Sequence, residues 1–120
     1  MKFLNISNHT LTEEQIKDLN RFLFCENIEI IELTKELKED WAHLTPQNYK
    51  EVCLSIYSYM YANNIHYAHL AGFTPAVIEL IKSKTLVFCY SFSERVSKEK
   101  KVNGEIIKIS TFKHKGWYRY

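Results

Sequence analysis

The chain is poor in the residues that punctuate structure: its 120 residues include only 3 glycines and 2 prolines. The turn at Ser7–Asn8–His9–Thr10 contains no glycine, which argues against a glycine-rich phosphate loop there. Cysteine is scarce and odd in number. Cys25, Cys53 and Cys89 are too far apart for a zinc set, so they read as buried thiols of a reducing cytoplasm. There is no HExxH, no CxxC and no GxSxG elbow, which leaves metalloprotease and serine-hydrolase readings without support. No apolar run is long enough to cross a membrane. Asn5 and Asn8 interrupt the amino-terminal stretch too early for a signal peptide, and the expected location is cytoplasmic.

A hydrophobic content of 46% over 120 residues fits one folded domain spanning 1–120. The net charge of +2 hides an asymmetry. Residues 1–81 hold 6 basic against 11 acidic side chains, a balance of −5. Residues 82–120 hold 10 against 3, a balance of +7, and such a basic end implies an anionic partner.

The chain opens as a βα unit. Phe3–Ile6 is strand-like, Thr12 and Gln15 form a capping box, and Leu11 with Ile16 fit a hydrophobic staple. Free amides at the helix start make Ser7–Thr10 a plausible anion site. A second strand is expected over Ile28–Leu33, then a short helix capped by Thr34 with Leu37, Trp41 and Leu44 inward. Thr45-Pro46 signals the start of a helix running to about Ala62. That helix has two apolar stripes: Tyr49, Val52, Cys53, Ile56 and Met60 on one side, Leu54, Tyr57 and Tyr61 on another. Two stripes want two partners, and a homodimer through the 46–62 helix is the expectation, with wet surface tyrosines as the alternative.

A third strand over Ile65–Leu70 delivers His69 to Ala71-Gly72-Phe73-Thr74-Pro75, where Gly72 permits a tight turn and Thr74 can cap a helix. Thr85–Tyr90 reads as a strand covered on both faces. Alternating strands and helices predict a three-layer α/β sandwich. From Ser91 the pattern changes. Folding on Asn103-Gly104 gives an antiparallel hairpin over 91–120 with Glu99 opposite Lys108 and Glu94 opposite Lys113.

Ligands of parallel sheets gather beyond the carboxyl ends of the strands. That rule brings Ser7–Thr10, His69–Thr74 and Ser91–Arg95 to one rim, with hydroxyls, histidines and an arginine but no cluster of acids. A two-metal nuclease is disfavoured and a phosphate-bearing nucleotide suits better. Arg95 fits bidentate phosphate contact, and the tyrosines or Trp117 fit stacking on bases. His9 can contact a phosphate, move a proton, or only satisfy its turn. His69 reads chiefly as a strand-end residue. His114 is either brought to the site by the hairpin or a surface histidine.

Three segments then carry a resemblance: NISNHTLTEEQ at the start, FSERVSKE before the Asn-Gly turn, and FKHKGWYRY at the end. Together they resemble small accessory proteins of type III CRISPR systems, related to cyclic oligoadenylate ring nucleases and messenger-binding proteins. The resemblance implies a Rossmann-like (CARF-like) sheet that dimerises, binds a cyclic oligoadenylate and needs no cofactor or metal. Cyclic tetra-adenylate would be cut by its own 2′-hydroxyl to linear products with a 2′,3′-cyclic phosphate, switching the signal off. By resemblance, Asn8, His9 and Thr10, Gly72, Phe73 and Thr74, and Ser93, Glu94 and Arg95 fall on phosphate-facing loops, and Lys113 and His114 match the basic closing motif. The rim adds Ser7, His69 and Ser91 as ligand contacts, and His9, Arg95 and His114 are the catalytic candidates. Long nucleic acid is not expected. The rival readings are a non-catalytic binder of the same messenger, an RNA- or DNA-binding module using the basic hairpin, and a structural partner in a larger complex.

Overall fold

In a computed structural model describing residues 1–120, strand β1 (Lys2–Ile6) divides the core by simple alternation. Phe3 packs into a five-residue buried cluster with Leu11, Leu19, Cys89 and Trp117. Leu4 and Ile6 enter a fifteen-residue cluster on the other face. Successive strand side chains point to opposite faces, so one short strand supplies both.

The other elements follow in order: α1 (Glu13–Phe22), β2 (Glu29–Glu32), α2 (Lys35–Ala42), α3 (Tyr49–Ala62), β3 (Tyr67–Leu70), α4 (Thr74–Ile81), β4 (Val87–Val102) and β5 (Glu105–Arg119). The sheet order is β2-β1-β3-β4-β5. The first four strands run parallel, and β5 is antiparallel to β4. The chain is thus an α/β domain with a mostly parallel sheet and a carboxyl-terminal hairpin. Helix α1 contributes Leu19 to the smaller cluster, while α2, α3 and α4 contribute Trp41, Ile56 and Leu80 to the larger.

The local rules explain most boundaries. Thr12 and Gln15 make both bonds of the capping box, and Leu11 with Ile16 joins the smaller cluster. Thr34 accepts from the Leu37 amide to start α2. Two expectations are corrected. Helix α3 begins at Tyr49, because Thr45 caps only a turn: its hydroxyl accepts from the Gln47 and Asn48 amides ahead of the helix. Thr74 lies inside α4 with Phe73 at the cap position, so it caps nothing. Of the second stripe of α3, Tyr57 is used within the chain, its hydroxyl donating to the Glu79 and Leu80 carbonyls of α4. Leu54 and Tyr61, the other two residues of the stripe, are exposed.

The hairpin turns on Asn103 and Gly104, both with positive φ, and the register sets Glu94 opposite Lys113 and Glu99 opposite Lys108 as expected. One irregularity matters. Phe92 pairs with Gly116 but Ser93 pairs with His114, leaving Lys115 as an extra residue in a β-bulge. No helix of the structure is long and apolar enough to cross a membrane.

Candidate functional site

Two polar clusters lie where β1, β3, β4 and β5 meet helix α1, and a tryptophan sits between them.

The first starts from a polar residue buried in an apolar strand. Asn5 is fully enclosed. Its Nδ2 donates to the His9 carbonyl at 2.7 Å and reaches the Glu32 carboxylate at 3.3–3.4 Å. Both are acceptors, so the amide nitrogen must face them and Oδ1 must face the other way. There Oδ1 accepts from the Ser7 hydroxyl at 2.8 Å and meets His69 Nδ1 at 3.0 Å. An amide oxygen can only accept, so His69 carries its proton on Nδ1 and presents a bare lone pair at Nε2. Nε2 has no protein partner, yet no unpartnered side-chain nitrogen or oxygen is wholly buried, so it keeps contact with solvent. Burial, with the neighbouring His9 charge adding to it, pulls the His69 pKa down to about 4. His69 is therefore a neutral acceptor at physiological pH.

Above this network, Ser7, Asn8, His9, Ala71 and Gly72 line a cavity of about 110 Å³ between the exits of β1 and β3. Gly72 is required there. Its φ is +151°, and a Cβ would lie 2.8 Å from Trp41 Nε1, which donates to the Ala71 carbonyl at 3.0 Å. The sequence read Gly72 as a turn residue; close approach to Trp41 is the added reason.

The second cluster joins α1 to the hairpin. Asp18 accepts from His114 Nε2 at 2.8 Å, His114 Nδ1 lies 2.7 Å from Ser91 Oγ, and Gln15 Nε2 donates to Ser91 Oγ at 3.0 Å. The carboxylate fixes a proton on Nε2, and Nδ1 shares a hydrogen bond with the Ser91 hydroxyl. The bulge makes this possible. His114 and Trp117 are three residues apart and would fall on opposite faces of a regular strand; the extra Lys115 puts both toward α1, with ring centroids 5.9 Å apart. His114 borders one cavity of about 310 Å³ with Glu14, Lys17, Asp18, Arg21 and Lys115. It borders another, of about 200 Å³, with Thr12, Glu14, Gln15, Ser93 and Phe112. Ser91 lines neither, so the serine orients the imidazole and is not presented as a nucleophile.

Trp117 links the clusters. It is only 5% exposed, donates from Nε1 to the Gln15 carbonyl at 2.8 Å, and meets the His69 ring edge-on at 5.2 Å. This corrects the expectation that it stacks on bases.

The predicted rim is thus assembled in part. Ser7, Asn8, His9 and Gly72 come together, with Asn5 and His69 beneath; Ser91, Ser93 and His114 form the neighbouring cluster. Thr10 and Thr74 are exposed, and Phe73 packs against Tyr49 at 6.1 Å. Arg95 and Lys113 do not join. Arg95 lies six residues past Cys89, the β4 partner of His69, or roughly 20 Å along the strand. It donates to Ser110 across the hairpin, and Glu94 pairs with Lys115, not with Arg95. Asn5, Gln15 and Asp18 were not singled out as site residues. Only Asn5 left a signal: a polar side chain at a buried phase of an apolar strand.

No solved structure matches the chain. "Uncharacterized protein MJ1673" of Methanocaldococcus jannaschii is 29% identical over 127 residues, covering 99% of this chain and 96% of that protein. The model of the Uncharacterized protein MJ1673 family matches residues 1–118, and the chain belongs to that family.

Proposed function

We propose that the chain is a Rossmann-like, CARF-like domain with its sheet in the middle of three layers, which binds a cyclic oligoadenylate in the crevice between β1 and β3. One observation carries the reading. The strand order reverses between β1 and β3, and the Ser7–His9 and Ala71–Gly72 cavity opens at that point. Doubly wound sheets hold nucleotides at this switch point. The three segments resembling type III CRISPR accessory proteins supply the ligand class, and cyclic tetra-adenylate is the ring to test.

The residues suit ring opening by the ligand's own 2′-hydroxyl. O2′ bonds to phosphorus, the P–O5′ bond breaks, the 2′ proton leaves and O5′ gains one. His69 lies beneath the cavity without lining it and is a positioning residue, holding Asn5, which in turn holds the His9 carbonyl. His9, at the cavity wall, contacts the phosphate or returns the proton. His114, held on both nitrogens, is a positioning residue for the hairpin and not a catalytic one. Arg95 and Lys113 steer the anion from the hairpin. A full ring exceeds one 110 Å³ cavity, so a bound ring brings two crevices together in the cytoplasm, an association that depends on the ligand. Binding without cleavage is the second reading, favoured because His9 is the one titratable side chain that lines the cavity.

Incubation with cyclic tetra-adenylate in EDTA tests this. Linear products ending in a 2′,3′-cyclic phosphate are expected, and His9→Ala should slow their formation. Bound but intact rings select the second reading; no binding at all overturns both.

A further inference from the structure

The hairpin leaves the domain. Strand β4 touches β3 only over Val87–Cys89, while its ladder with β5 runs on to Val102 and Glu105. The molecule measures 57 × 38 × 24 Å with a radius of gyration of 16.8 Å, against about 14 Å for a compact chain of this length. The outer part is a two-stranded ribbon, an arrangement of marginal stability alone. It is also apolar for something so exposed: Ile106 is 68% accessible, Ile107 44%, Ile109 42% and Phe112 77%. Strand β5 ends the sheet order, so its outer edge offers unpaired backbone groups along fifteen residues. Such an edge calls for a partner strand.

The strand is complementary to itself. An edge presents its backbone outward at every second residue, so only residues of like parity pair across it. With a two-fold axis at Ile109, an antiparallel copy places Glu105 opposite the partner's Lys113, and Lys113 opposite the partner's Glu105. Ile107 then meets the partner's Thr111, Ile106 meets the partner's Phe112, and Ile109 meets its own copy. Moving the axis to Lys108 sets that lysine against itself. Moving it to Ser110 sets Ile107 against a lysine. Of these three registers, charge and apolar matching favour the one centred on Ile109.

We propose that the free edge of β5 pairs antiparallel with the same edge of a second copy, centred on Ile109, to form a two-fold dimer. This contact uses neither the ligand crevice nor the exposed side of α3, and it stands whether or not the chain binds a cyclic oligoadenylate. The two-fold makes it closed and isologous, which spares the edge from open-ended pairing.

Light scattering after size exclusion tests it. The wild type should have twice the 14.3 kDa chain mass, Ile109→Lys the single mass with an unchanged far-ultraviolet spectrum, and Leu54→Lys the dimer mass. A charge exchange guards against misfolding of Ile109→Lys: Glu105→Lys should weaken the dimer several-fold, and Glu105→Lys with Lys113→Glu should restore it. A single-mass wild type overturns the proposal. So does an Ile109→Lys variant that stays dimeric, or a dimer that nuclease treatment dissolves, since nucleic acid would then hold the copies together.

Discussion

Asn5 Oδ1 lies 3.0 Å from His69 Nδ1, and this contact determines which imidazole nitrogen is free. The Asn5 amide is itself oriented by the His9 carbonyl and the Glu32 carboxylate. A β1 residue, a turn, β2 and β3 thus set one lone pair at the sheet's switch point.

Asn5→Ala should be costly. It leaves the His69 Nδ1 proton without its partner, at about 1–3 kcal/mol for a group that water cannot reach, while the His9 carbonyl keeps only its 3.0 Å bond from the Ser7 hydroxyl. A urea unfolding series should show a loss of about 2 kcal/mol or more, with the slope unchanged. Wild-type stability in the variant would mean that the network is not buried as described.

His69 makes stability depend on pH. Its folded pKa of about 4 lies below the ordinary 6.5, so the unfolded chain binds the proton first as pH falls. Its contribution is complete above pH 6.5, shrinks between 6.5 and 4, and is constant below. The full span is about 3 kcal/mol at most. His69→Asn keeps an N–H for Asn5 and removes the titration, so it should flatten the stability profile between pH 4 and 6.5. A parallel profile in wild type and variant would contradict the assignment.

His114 pins the hairpin to α1. His114→Ala removes its bonds to Asp18 and Ser91 and should cost about 1–3 kcal/mol. Amide exchange should rise around Ser91, Ser93 and Trp117, while the β1–β3 ladder stays protected. Deleting Lys115 should be far milder, because without the extra residue His114 and Trp117 stand two apart and a regular strand keeps both on the face toward α1.

Gly72→Ala adds a Cβ 2.8 Å from the Trp41 ring at a φ of +151°. Strain of about 1–3 kcal/mol is expected. Tryptophan fluorescence should shift as Trp41 gives up the Ala71 carbonyl.

What the sequence revealed and what it hid have physical causes. The capping box at Thr12 and Gln15 and the Asn103-Gly104 turn depend on neighbours a few residues away, so both were readable, and the turn carried the Glu94–Lys113 register with it. The cavity walls at Ser7–His9 and Gly72 followed from strand exits. The His114–Asp18 contact spans 96 residues and depends on a bulge that no residue type announces. Trp117 read as exposed because lysines and Arg119 flank it; the strand's alternation buries it instead. Arg95 read as a rim residue because β4 was expected to end near Tyr90, whereas it runs to Val102.

Amide chemical-shift mapping with cyclic tetra-adenylate in EDTA tests the placement of the ligand most directly. Shifts at Asn8, His9, Ala71 and Gly72, reduced in His69→Asn, are the predicted result. Shifts confined to the hairpin between Lys98 and Ile109, or none, would contradict a binding crevice between β1 and β3.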